Sequence, residues 1–189
     1  LGADLTIVET LAHARAAEQA FPGVEVVVDV GGTDVKVLRL RRGRPVTFHL
    51  SSQCAAGHGA FLATAAAELG VPMHAYADRA LAASRSAEFA VGCAIFLDTD
   101  RVTFQRDGRT VDEILAGRAR ALHRNVWELV VGEAPGRLGR SFLLSGGVHR
   151  NAAATLAHVR YLHEHVPGAR VVVHPYPELC GAIGAALEI

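Results

Sequence analysis

The sequence has few lysines and cysteines and no net charge. Its 19 basic residues balance 19 acidic ones, and Lys36 is the only lysine beside eighteen arginines. This balance favours neither a nucleic-acid partner nor an anionic membrane surface. No apolar run approaches the length of a membrane span, and the first residues lack the pattern of a signal peptide. We therefore expect a cytoplasmic protein, and its 189 residues with 50% hydrophobic content suit one sizeable domain.

The three cysteines, Cys54, Cys93 and Cys180, are too few for a disulfide framework, and their number is odd. They are either buried apolar thiols, which is the common case, or metal ligands. Residue 1 is Leu and the single methionine is Met73. We therefore expect the chain to begin inside a longer protein.

Turn residues and apolar periodicity divide the chain into predicted helices and strands. Thr6 and Glu9 fit a capping box that opens a first helix, and Pro22 with Gly23 ends it. Strands are predicted at 24–30, 35–41, 45–50, 141–144 and 170–174, and further helices at 57–69, 74–83, 111–131, 151–165 and 179–187.

The order of these elements predicts an α/β fold. A meander of three strands followed by alternating helix and strand is typical of a ribonuclease H-like lobe, and two such lobes form an actin-like ATPase. We expect residues 1–22 to be a lead-in helix from the lobe junction and residues 23–189 to be one lobe in the order βββαβαβα. The first lobe of such a protein is expected to lie outside this chain.

Residues 28–36, VDVGGTDVK, predict a strand that ends near Asp29 and turns through Gly31 and Gly32 into a second strand. Glycines let backbone N–H groups approach a phosphate. An aspartate at this point can hold Mg²⁺ through water or orient an attacking water. An ordinary hairpin with a Gly-Gly turn explains the segment equally well.

Residues 145–151, SGGVHRN, predict a turn between a strand and a helix. Its free N–H groups and its glycines, Gly146 and Gly147, leave room for an adenosine or ribose against the backbone. A tight connection with Asn151 as the helix N-cap is the alternative, and it explains the paired glycines less well. The small residues at 180–186 favour close helix packing.

Cys54 lies at the start of a predicted helix, where the partial positive charge lowers a thiol pKa and stabilises an anionic cluster. Cys93 follows in a stretch predicted to be irregular. Because two thiolates cannot complete a four-cysteine cluster, an identical subunit would supply the other two across a twofold axis. Two buried structural cysteines are the alternative.

Four segments resemble, in content and order, those of the activator ATPases of 2-hydroxyacyl-CoA dehydratases and benzoyl-CoA reductases. They are DVGGTDVK, CAAGHGAFL, LSGGVHRN and PYPELCGAIGAAL, and Cys93 follows the second of them. The resemblance covers essentially the whole chain. It implies a homodimer that uses ATP with Mg²⁺ and shares one [4Fe-4S] cluster between subunits. It also implies that a low-potential electron, supplied by ferredoxin or flavodoxin, passes to a dehydratase or reductase partner.

The same resemblance assigns roles to individual residues. Asp29 is the catalytic candidate, and Cys54 and Cys93 are the cluster ligands. The nucleotide-binding residues are Gly31, Gly32 and Thr33 at the phosphates and Gly146 and Gly147 at the adenosine end.

Some residues depart from the family pattern. Thr33 stands where a longer amide is common, and His58 stands where a small hydroxyl residue is usual. We expect His58 on a helix surface; the alternative is that it tunes the cluster potential through a hydrogen bond to sulfur. Cys180 is expected to be a packed thiol near the nucleotide. With the first lobe outside the chain, this lobe alone is expected to bind nucleotide weakly.

Two other functions are open at this point. DVGGTDVK also resembles the phosphate loop of sugar and small-metabolite kinases, but a kinase leaves Cys54 and Cys93 unexplained. A dimerisation lobe without a cluster is the other alternative.

Overall fold

The computed structural model describes residues 6–51 and 57–188. At its centre is a five-stranded sheet in the order β3-β2-β1-β4-β5. The strands are β1 (Val26–Val30), β2 (Val35–Arg41), β3 (Arg44–Ser51), β4 (Ser141–Ser145) and β5 (Arg170–Val173). β1, β2 and β3 form an antiparallel meander, whereas β4 is parallel to β1 and β5 is parallel to β4. This is the predicted strand order of a ribonuclease H-like lobe.

Helices cover both faces of the sheet. They are α1 (Glu9–Ala20), α2 (Gly59–Glu68), α3 (Met73–Ala82), α4 (Ala94–Arg106), α5 (Val111–Asn125), α6 (Pro135–Leu138), α7 (Ala152–His165) and α8 (Cys180–Ala186). A π-helical turn, Val126–Val131, continues α5, and short 3₁₀ turns precede α7 and α8 at Gly147–Arg150 and Pro177–Leu179. None of the helices in the described part of the chain is long and apolar enough to span a membrane.

The alternation of side chains along β1 divides the core between the two faces of the sheet. Val26, Val28 and Val30 pack into the larger cluster, which contains side chains of α2, α3, α5 and α7. Val27 packs on the opposite face against Ala14 of α1. All five residues of β1 are buried, so this strand forms the middle of the molecule.

Small residues bring α8 close to α1. A side chain at Gly184 would overlap the backbone carbonyl of Ala12. The predicted close packing of the last helix is therefore confirmed, and it sets the position of α1 above the ends of β1 and β2.

The predicted capping box at Thr6 and Glu9 is wrong. Val8 is the N-cap of α1 and makes no side-chain cap bond. Glu9 instead contacts Lys36 on β2, at 3.1 Å from carboxylate oxygen to Nζ. A different helix, α5, has a complete capping box, between Thr110 and Glu113.

The helix predicted at 111–131 changes geometry after Asn125. The π-helical turn that begins at Val126 rotates the following side chains. Leu129, predicted on the apolar side, is consequently 47% exposed. Helix α4 was not predicted, and Leu97 is its one fully buried residue.

Candidate functional site

A cavity of about 600 Å³ lies where β1 and β4 end, and α1 and α8 also contribute to its wall. Asp29 and four glycines that the sequence predicts as ligand-binding residues line it together: Gly31, Gly32, Gly146 and Gly147. The structure therefore brings the two predicted motifs to one place. Thr33, the sixth candidate, is not among the residues that line the cavity.

The four glycines have two different roles. Gly146 has φ of 88°, its N–H donates to Pro177 O at 2.8 Å, and a side chain there would overlap Val30. Gly31 closes the hairpin by donating its N–H to Asp34 O at 2.9 Å. By contrast, a Cβ at Gly32 or Gly147 would meet no atom within 4 Å. Gly31 and Gly146 thus fix the backbone, whereas Gly32 and Gly147 leave it open to a ligand.

Asp29 is buried and held by groups from three elements. Ser145 Oγ, at the end of β4, donates to Asp29 Oδ1 at 2.9 Å. His13 Nδ1 of α1 lies 3.7 Å from the same oxygen, and Lys36 Nζ of β2 lies 3.8 Å from Oδ2. The carboxylate therefore has a defined orientation at the cavity wall.

Lys36 lies among three carboxylates. Its ammonium group contacts Asp34 and Glu9 in addition to Asp29. Burial alone would lower the pKa of Lys36, but the hydrogen bonds to Asp34 and Glu9 and the charge of Asp29 raise it above the ordinary value. Lys36 is thus held protonated, and its charge is compensated by the three carboxylates around it.

Sequence reasoning did not find His13 and Glu9 as residues of the cavity. Their spacing of four places them on one face of α1, with 3.6 Å between His13 Nε2 and Glu9 Oε1. The available signal in the sequence was a histidine on the alanine-rich, buried face of α1.

Cys180 is a packed thiol, as predicted. It is fully buried, and burial, with the nearby charge of Asp29, raises its pKa to about 11, which a hydrogen bond with Ser145 partly opposes. At neutral pH it is therefore a neutral thiol in the wall behind Asp29.

Of the two predicted cluster ligands, Cys54 lies outside the described residues. Cys93 is an exposed free thiol at the N-cap of α4. No side chain caps this helix, so its first N–H groups point to the region of the thiol. An exposed cysteine at a helix N-terminus is suited to bind an anionic metal cluster.

Arg118 joins the first turns of α2 and α4. Its guanidinium lies 4.5 Å from the ring centroid of Phe61, the third residue of α2. It also donates to Leu97 O at 3.1 Å and to Asp98 Oδ1 at 3.3 Å, both on α4. The starts of the two helices that follow the candidate cysteines are consequently held near one another.

The start of α2 is also bonded to the glycine hairpin. Gly59 N–H donates to Gly31 O at 2.9 Å, and Ala60 N–H donates to Gly32 O at 2.8 Å. His58, the N-cap of α2, is buried and its Nδ1 has no hydrogen-bond partner. The predicted surface position of His58 is therefore wrong, because α2 docks its N-terminus on the hairpin.

Among the described residues, one group of side chains lies close enough to hold a metal ion, namely His123, His149 and His158. Trp127 Nε1–H donates to His158 Nε2 at 3.0 Å, so His158 carries its proton on Nδ1. That proton is donated to His149 Nε2 at 3.0 Å, and His149 Nδ1–H is donated to Ser145 O. Both imidazoles are satisfied as neutral groups, and a metal ion would have to displace the Trp127 indole.

The sheet order and the cavity at the ends of β1 and β4 define a class of protein. The chain is a ribonuclease H-like lobe of an actin-like ATPase, and solved structures agree with this. One of them is the activator of the 2-hydroxyisocaproyl-CoA dehydratase from Clostridium difficile with bound ADPNP, which matches with a TM-score of 0.86 and 29% sequence identity. The match covers 100% of this chain and 68% of that protein.

More particularly, the chain belongs to the BadF/BadG/BcrA/BcrD ATPase family, whose model matches residues 1–188. The (R)-2-hydroxyglutaryl-CoA dehydratase activating ATPase of Acidaminococcus fermentans is 31% identical over 187 residues, which are 98% of this chain and 68% of that protein. The activator of lactoyl-CoA dehydratase from Anaerotignum propionicum is 30% identical over 187 residues, with 98% and 69% covered. The resemblance to the activator family is confirmed, and the chain spans roughly two thirds of the length of these relatives.

Proposed function

We propose that the chain is one lobe of an ATP-dependent activator. This lobe binds nucleotide and carries half of the ligands of an iron–sulfur cluster. The activator passes a low-potential electron from a [4Fe-4S] cluster shared by two subunits to a dehydratase or reductase that acts on a CoA thioester. The observation that carries this proposal is that the glycine-lined cavity around Asp29 and the helix that follows the Cys54 segment are joined by hydrogen bonds.

The nucleotide, with Mg²⁺, would take its phosphates at the hairpin and its adenosine at the second glycine turn. Gly32 and Gly147 support this because their backbones face open space. The fixed orientation of Asp29 suits it to orient an attacking water or a hydrated Mg²⁺. Residues 1–22 would form the lead-in helix and residues 23–189 this lobe, with a second lobe to close the site from the other side.

Cys54 and Cys93 would be the cluster ligands from each subunit. A cluster held by four thiolates supplies one-electron transfer at low potential. Cys93 fits this role because it is exposed at a helix N-terminus that no side chain caps. Its neighbours Ile95 and Phe96 are 75% and 72% exposed, as expected for a surface covered by a second subunit. Ferredoxin or flavodoxin would deliver the electron.

A change at the nucleotide has a short physical route to the cluster. The carbonyls of Gly31 and Gly32 accept the first N–H groups of α2, so a shift of the hairpin displaces the helix that follows Cys54. Arg118 extends the contact to the start of α4. We infer that nucleotide-driven movement reaches the cluster through α2.

The test is iron content after anaerobic reconstitution with iron and sulfide. The wild-type chain should turn brown and bind close to two iron atoms per chain, because one four-iron cluster spans two copies. Cys54→Ser and Cys93→Ser should each lose most of that iron. Cys180→Ala is the matched control, since this buried thiol is not a proposed ligand and the variant should keep its iron.

The alternatives give different results. Wild-type protein that stays colourless would overturn the cluster and favour the metabolite kinase or a dimerisation lobe without metal. Full iron content in both serine variants would overturn the ligand assignment alone.

A further inference from the structure

A buried amide side chain holds the residue that precedes Cys93. Gly92 N–H donates to Asn125 Oδ1 at 3.2 Å, and Asn125 Nδ2–H donates to Gly92 O at 3.2 Å. Asn125 is 0% exposed. One side chain therefore binds both backbone polar groups of Gly92, much as a neighbouring β-strand does.

The base of this contact is rigid. Asn125 is the last residue of α5, and the π-helical turn that follows begins with Val126 and Trp127, which are both buried. The Trp127 indole is fixed by its bond to His158. Arg124 also donates to Phe89 O at 3.2 Å, and Ala87 N–H donates to Glu113 O at 2.9 Å, so α5 holds the segment before Cys93 at several points.

Core packing cannot position the Cys93 end of α4 by itself. Leu97 is the one fully buried residue in α4, and the chain from Ala83 to Cys93 forms neither helix nor strand. Ala87 and Phe89 are buried in the core, but residues 90–93 are exposed or half-buried and have no regular backbone pairing, which leaves this last part of the segment free to open locally. The polar contacts from α5 consequently carry much of the constraint on residue 92.

We propose that Asn125 is a positioning residue for the Cys93 ligand. It fixes the Gly92 backbone and thereby the direction from which the Cys93 thiolate meets the iron–sulfur cluster; this inference rests on the cluster of the proposed function. Groups that orient metal ligands typically change metal affinity on the order of 10- to 100-fold when removed.

The test compares Asn125→Ala with Tyr76→Phe. Tyr76 lies in α3, and its fully buried hydroxyl donates to Leu115 O of α5, the helix that also contains Asn125, at 2.8 Å. Its loss therefore removes a buried hydrogen bond to α5 that does not touch Gly92. Each variant is reconstituted anaerobically, and three quantities are measured: iron per chain, the rate of iron release to a chelator, and the electron paramagnetic resonance spectrum of the reduced cluster.

Asn125→Ala should release iron about tenfold faster than wild type or more, with a changed spectrum, whereas Tyr76→Phe should match wild type in both. The Gly92 amide of the iron-free Asn125→Ala protein should also exchange its hydrogen faster. If Asn125→Ala does not fold, the same measurements are made on Asn125→Gln, which keeps the amide but displaces it by one methylene. This variant should release iron at a rate between those expected for wild type and Asn125→Ala.

If wild type holds its iron and Asn125→Ala shows the same iron-release rate and the same spectrum, the positioning role alone is overturned. An equal change in Tyr76→Phe would also overturn it, because general destabilisation would then explain the result. Wild type that holds no iron would overturn the proposed function together with this inference.

Discussion

At the scale of single residues, burial keeps three histidines neutral. It lowers the pKa of His149 to about 4, which the hydrogen bond to Ser145 partly opposes. Burial, together with neighbouring imidazoles, lowers the pKa of His123 and His158 well below the ordinary value. The unfolded chain takes up protons on these histidines near pH 6.5 while the folded chain does not, so their contribution to stability is complete above that pH and is lost as the pH drops towards 4.

We expect the free energy of unfolding, measured with urea, to be lower at pH 5 than at pH 7 by roughly 2 kcal/mol or more. His123→Leu should reduce this difference, because it removes one of the three imidazoles that burial keeps neutral. His163→Gln, on the exposed face of α7, is the control and should leave the difference unchanged. An undiminished difference in His123→Leu would contradict this account.

The residues of the cavity around Asp29 were predictable from sequence to the extent that they lie in local motifs. Asp29, Gly32 and Gly147 stand out because strand ends and glycine turns are recognisable over a few residues. His13 and Glu9 were not predicted, because they reach the cavity through the packing of α1 on α8. That contact joins opposite ends of the chain and has no local signature.

At the scale of elements, the same distinction separates what was predicted from what was missed. The strands and α7, with Asn151 as its N-cap, follow from alternation, periodicity and capping residues. Helix α4 escaped prediction because it buries Leu97 alone and has no apolar stripe. Leu129 was misplaced because the π-helical turn changes the period of 3.6 residues on which the prediction depends.

The close approach of α8 to α1 gives a prediction about stability. Gly184→Ala should lower the free energy of unfolding by about 2 kcal/mol or more, since the new methyl group meets backbone rather than a flexible side chain. Gly136→Ala in α6 is the control, because its Cβ would lie 3.6 Å from Val166 and alanine favours a helix. Urea unfolding measures both, and equal stability in the two variants would show that α1 and α8 can separate freely.

Ile95 and Phe96, beside Cys93, are the two most exposed large apolar side chains of the described residues. Ile95 and Phe96 lie in the first turn of α4 and project into solvent. The proposed cluster would place this turn near the twofold axis, where an identical turn from the second copy would meet it. The first turn of α4 thus offers an apolar surface at the point where the proposed cluster would need a symmetric partner.

At the scale of the whole molecule, we therefore predict that Ile95→Ser combined with Phe96→Ser weakens the cluster-loaded dimer about 100-fold or more, because each side chain loses its burial in both subunits. Sedimentation of reconstituted protein over a concentration series gives the dissociation constant. Leu81→Ser, an exposed apolar residue of α3, is the control and should dimerise like wild type. The free energy of unfolding of the iron-free chain should be nearly unchanged in both variants, since these side chains are exposed in the single copy. An unaltered dimer in the double variant would place the contact between the two copies on another surface.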